Sequence, residues 1–82
     1  MARVKYIRTE DNEIIVFGEV LQHKDFENLN PVSAGFISFG IGSDKNPSCT
    51  CYGESISLGI KSNEIEDTKL AKRQILGNDY DF

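Results

Sequence analysis

Three residues hold most of the reactive chemistry in this chain: Cys49, Cys51 and the single histidine, His23. On an extended strand a Cys-x-Cys pair points both sulfurs the same way. Their Cα atoms then lie about 6.6 Å apart, too far for an easy disulfide. Zinc requires four ligands, so a metal site at His23, Cys49 and Cys51 needs a carboxylate such as Asp25 or Glu54 to complete it. No Cys-x-x-Cys knuckle accompanies the pair. A cysteine nucleophile would take His23 as its base and a third group to orient the ring. One histidine in 82 residues gives that triad little footing. Two buried, unreactive thiols are the plainer expectation, with no cofactor and no catalytic constellation.

A second chemistry is the cradling of a small ligand or nucleotide. Ser38, Gly40, Gly42 and Ser43 could turn backbone N–H groups toward an anion. Neither G-x-x-x-x-G-K-[ST] nor G-x-G-x-x-G occurs, so the glycine content stands without its usual context. The third chemistry is protein recognition, for which Tyr6, Arg8 and Tyr52 are the candidate contact residues. Phe26, Tyr80 and Phe82 are further aromatics that could anchor a contact.

The elements that must position these residues centre on Val32 to Ile41. Read with a period of two, this stretch is apolar on both faces, which predicts a central strand covered at least partly on each side. Residues 3 to 8 and 13 to 17 are rich in β-branched and aromatic side chains. Thr9-Glu10-Asp11-Asn12 between them supplies turn chemistry, so the pair predicts a β-hairpin. Ile15 and Phe17 make the second face of the latter strand apolar, which predicts an internal strand. Arg3, Lys5 and Arg8 read as charges on a solvated strand edge.

Val20 to Leu29 predicts a loop with one helical turn from Asp25 to Leu29, Asp25 acting as its cap. Gly42 to Ser48 is an exposed loop, followed by strands at Cys49 to Tyr52 and Glu54 to Lys61. The last of these alternates cleanly, with Ile56, Leu58 and Ile60 against Ser55, Ser57 and Gly59, leaving a small-residue face for a partner. Asn63 and Glu66 fit a capping box opening a C-terminal helix. Leu70, Ala71, Gln74 and Ile75 form its stripe, and Gly77 or Asn78 stops it.

Eighty-two residues make one small domain, read as 1–78 with an acidic tail at 79–82. The expected fold is α+β: a curved, mainly antiparallel sheet of four to five strands with one C-terminal helix. The alternative is a small open barrel capped by that helix. Nine basic against thirteen acidic residues give a net charge of −4, which disfavours nucleic-acid binding. There is no apolar run of bilayer length and no secretory h-region after Met1, so a cytoplasmic setting with reduced thiols is expected. The function that fits is a small cytoplasmic protein-binding or regulatory module without catalytic activity, with a homodimer as one form of it. A small-ligand module and a thiol or metal site are the alternatives.

Overall fold

The computed structural model describes residues 3–43 and 45–77. Strands β1 (Val4–Thr9) and β2 (Ile14–Phe17) form the expected antiparallel hairpin. Thr9 organises its turn: Thr9 Oγ1 accepts from the backbone N–H of Asp11 (3.3 Å) and Glu13 (3.2 Å), and Asn12 takes a left-handed conformation at φ 63°. Such local side-chain bonds are what make threonine and asparagine turn formers.

The long strand β3 (Pro31–Ile41) pairs with β1 on one side and with β4 (Pro47–Tyr52) on the other. All pairings are antiparallel, in the order β2-β1-β3-β4. The apolar two-sided stretch is therefore central, as its pattern requires. Two positions in that order differ from expectation. β2 is an edge strand. Its double apolar character arises because Ile14 packs beneath the helix while Phe17 packs on the opposite face. β1 is internal, so its charged residues do not line a free edge; Arg8 is drawn instead toward acidic groups on the helix.

Helix α1 (Glu64–Ile75) lies across one face of the sheet. Asn63 caps it, its side chain accepting from Glu66 N at 3.5 Å. The reciprocal half of the box comes from Asp67 rather than Glu66: Asn63 N donates to Asp67 Oδ2 at 3.0 Å. Gly77, at φ 69°, follows the helix in the left-handed conformation that glycine adopts freely. Asn78 and the tail at 79–82, with Tyr80 and Phe82, lie outside the described residues.

Beneath α1, Tyr6, Ile14, Ile37, Cys49 and Cys51 pack with Ala71. On the other face Ile7, Phe17 and Ala34 form a second small core, with Phe26, Leu58 and Ile60 against it. That second face is covered by the two irregular parts of the chain. A 3₁₀ segment runs from His23 to Leu29, opened by Gln22 N donating to Asp25 Oδ2 (2.8 Å) and closed by Asn30 in the left-handed region. Asp25 therefore does cap, but from inside a segment that begins two residues before the expected turn.

The stretch from 54 to 61 is not one strand. It is a hairpin of β5 (Glu54–Ser55) and β6 (Ile60–Lys61) around a tight turn. Ser55 Oγ accepts from Leu58 N (3.2 Å), Gly59 N donates to Ser55 O (2.9 Å), and Gly59 has φ 67°. Serine and glycine used as turn residues override an alternation that strand periodicity alone would favour. The anticipated Ser55/Ser57/Gly59 face therefore does not exist, and Ser55 is buried. The architecture is α+β with a curved four-stranded sheet, a small second sheet and no closed barrel, since β2 and β4 end the order on separate edges.

Candidate functional site

The register of the sheet assembles a line of side chains that no short motif announces. Lys5 stands opposite Phe17 on one side and Phe36 on the other, and Phe36 stands opposite Tyr52. Directly opposed residues on neighbouring strands share a face. Phe17, Lys5, Phe36 and Tyr52 thus cross all four strands on the face away from α1. His23 closes over this row, its ring edge-on to Phe17 (5.4 Å) and to Phe36 (5.8 Å).

His23 is held in place by its own hydrogen bond. Nε2 donates to the carbonyl of Gly35 at 2.7 Å. Burial lowers the His23 pKa, the Gly35 bond opposes that shift, and the Lys5 charge adds to it. The ring is therefore neutral near pH 7, with Nδ1 as its acceptor. Lys5 is also committed, donating from Nζ to Leu21 O at 2.9 Å.

Over the Phe36 end of the row the surface opens into a groove of about 490 Å³. Phe36 and Tyr52 lie in its floor, their rings 5.8 Å apart and tilted by 32°. Glu19 and Val20, from the connection after β2, line it, as do Glu54 and Ile56 from the β5–β6 hairpin. Arg3 lays its guanidinium over Phe36, 4.8 Å from the ring centroid. Gly53, at φ 78°, makes the sharp exit from β4; a Cβ there would come within 3.0 Å of the Phe36 ring. The volume lies within the range of pockets that accept a small molecule or a few side chains. Val20 and Ile56 are 96% and 89% exposed.

The sequence candidates are distributed differently from expectation. Cys49 and Cys51 are buried under α1, whereas His23 packs on the opposite face of the sheet. The three are not brought together as a ligand set or as a thiol–base pair. Among the described residues no group of three or more His, Cys, Asp or Glu side chains could hold a metal ion. Burial raises both thiol pKa values, that of Cys51 to about 12 with the Asp67 charge adding to the effect. Thiolate is the reactive form. The native protein should therefore resist a disulfide-exchange reagent such as DTNB at pH 8 for many minutes, and both thiols should react at once in urea. Labelling of folded protein at the speed of a free thiol would contradict this burial.

Ser38, Gly40 and Gly42 do meet, together with Ser48 and Thr50, around a hollow of about 190 Å³; Ser43 is not among its lining residues. The hollow falls below the usual size of a ligand pocket. Two of the loop's amides are also spent internally: Gly42 N donates to Asn46 O (2.8 Å) and Lys45 N to Gly42 O (2.9 Å). An anion would find these donors already used.

Of the three contact candidates Tyr52 is the most exposed, at 37%. Tyr6 is fully buried and donates its hydroxyl to Asp67 Oδ2. Burial, followed by the neighbouring Asp67, pushes the Tyr6 pKa far up. Arg8 lies against the same carboxylate, its Nη1 3.0 Å from Asp67 Oδ1 and 2.9 Å from Glu66 Oε1. Tyr6 and Arg8 are thus tied to the helix rather than offered to a partner.

Sequence reasoning missed the groove and also missed Asp67. The second had a signal: Asp67 shares the helix face of Leu70, Ala71 and Gln74 at i, i+3, i+4 and i+7. Comparison with protein-family models, curated proteins and solved structures finds no match to this chain.

Proposed function

We propose that the chain is a small, non-catalytic module that binds a protein partner through the groove on the face of the sheet opposite α1. An apolar side chain of the partner enters against Phe36 and Tyr52. The observation that carries this reading is the exposure of Val20 and Ile56, two aliphatic side chains standing almost free in water beside an aromatic floor. Exposed aliphatic residues gathered at a groove are a common mark of a docking surface, whereas scattered ones are ordinary. Among the described residues, the lining of the groove includes no cysteine. His23 is bonded to the Gly35 carbonyl, and the cysteines lie across the sheet.

No helix among the described residues is long and apolar enough to cross a membrane. Two free, buried cysteines fit a reducing compartment, so we take the module to act in the cytoplasm in a regulatory role. A second copy of the chain is one partner of the right kind, and sedimentation of the purified protein would reveal it.

Selection of peptides from a random display library tests the reading. Sequences enriched on the wild-type protein should carry an apolar or aromatic residue, and Ile56→Asp should weaken their binding about tenfold or more. Circular dichroism of the variant should be unchanged, because the side chain it alters is exposed. Equal binding by wild type and Ile56→Asp would remove the groove from the function.

A further inference from the structure

We propose that the groove recognises a guanidinium: its partner is a basic protein segment presenting an arginine beside an apolar residue. This rests on the reading of the groove as a protein-docking surface and specifies the chemistry of its occupant. The groove already displays the interaction with one of its own residues. Arg3 lays its guanidinium 4.8 Å from the centroid of Phe36, within the distance at which a cation is attracted to an aromatic face. Tyr52, tilted by 32° and 5.8 Å away, extends that π surface. Glu19 and Glu54 supply carboxylates in the same lining, which suit a bidentate cation.

The other charged or titratable groups lining the groove are Lys5, His23 and Tyr52, and Lys61 stands opposite Glu54 in the β5–β6 register. Lys5 is the second cation, and its ammonium is held on the Leu21 carbonyl. His23 donates from Nε2 to Gly35 and is neutral. Arg3 itself precedes β1 and is exposed, so it can leave Phe36 without disturbing the sheet. Its departure leaves an aromatic platform with two carboxylates and no free cation in the lining. The whole chain, at net charge −4, attracts a basic segment from a distance. Arg3 therefore acts as an internal place-holder that an incoming arginine displaces.

The test uses acetylated, amidated tripeptides titrated into the isotopically labelled full chain and followed by amide chemical shifts. Leu-Arg-Leu should bind at the groove about tenfold more tightly than Leu-citrulline-Leu, which keeps the shape and loses the charge. Leu-Lys-Leu should fall between them, because an ammonium lacks the planar fork. The double variant Glu19→Gln/Glu54→Gln should reduce the arginine preference about threefold, the aromatic platform keeping the rest, and Arg3→Ala should tighten Leu-Arg-Leu by about threefold. All three changed residues are exposed, so the fold is retained. Equal groove binding of the arginine and citrulline peptides, or tighter binding of Leu-Glu-Leu, would overturn the guanidinium proposal and leave the docking surface standing. Absence of saturable shifts at the groove with every peptide would remove both.

Discussion

Replacing Asp67 with alanine is expected to destabilise the protein by about 3–5 kcal/mol, the cost of leaving a buried charge without its partner. Asp67 is fully buried and is the point where α1 is fastened to the sheet. Its Oδ2 accepts from the Tyr6 hydroxyl and from Asn63 N, and its Oδ1 faces Arg8 Nη1. Removing the carboxylate orphans a buried phenol and a helix-capping amide, and it leaves a guanidinium whose side chain is only 12% exposed with Glu66 as its remaining carboxylate. Arg8 Nε is already buried without a hydrogen-bond partner, so the arginine would keep only its bond to the exposed Glu66. A domain of this length has roughly 0.05–0.15 kcal/mol per residue in hand, and the loss consumes much of it. Urea unfolding would measure it as a lower midpoint at unchanged slope. Glu66→Ala is the contrast. Its carboxylate also meets Arg8, but from a side chain 57% exposed, and its loss should cost less than about 1 kcal/mol. Similar midpoints for the two variants would contradict the role given to Asp67.

Gly35→Ala is the second large effect. A Cβ at this position would lie 2.3 Å from the carbonyl oxygen of Tyr52 and 3.3 Å from both Gly53 C and Ser62 Cβ. The first neighbour is backbone and cannot swing aside, so β4 must move off β3 where the chain turns into β5. The cost should reach about 3 kcal/mol, the upper part of what overpacking usually costs. Gly40→Ala, on the same strand with nothing within 4 Å of its Cβ, should leave the unfolding midpoint almost unchanged. The Gly35 variant carries a second consequence, because the Gly35 carbonyl holds His23 and Tyr52 floors the groove. Peptide binding should weaken even under conditions where the variant remains folded. Unaltered stability of Gly35→Ala would mean that β4 does not approach β3 this closely.

Much of the fold was legible because local signals and burial agree. Val32 to Ile41 is legible as a central strand because it is flanked by strands and covered above and below from Ser33 to Ile37, although Phe39 and Ile41 stand 47% and 72% exposed. The β1–β2 turn is legible in Thr9 and Asn12, and the helix start in Asn63. The errors came where a pattern has two physical origins. Apolar residues on both faces of β2 imply two covering layers, which an edge strand can also have. Alternation from Glu54 to Lys61 is compatible with a strand until Ser55 and Gly59 are counted as turn residues. Charges on β1 look solvent-seeking until a carboxylate on α1, about sixty residues away, is known to face them. The candidate site was the least legible part. Phe17, Lys5, Phe36 and Tyr52 share a row only through strand register, and register couples residues far apart in the chain. Tyr52 alone was picked out, on residue type.

The docking surface stands or falls on where a partner touches the chain. The direct measurement is an amide chemical-shift map of the full chain with a saturating peptide taken from the display selection. The prediction is a contiguous set of shifts over Glu19 to His23, at Phe36, and from Tyr52 to Ser57, the backbone that surrounds the groove. Shifts confined to the Ser38–Ser48 arm, or to the outer surface of α1, would contradict it and move the binding surface to the other end of the sheet or to its opposite face.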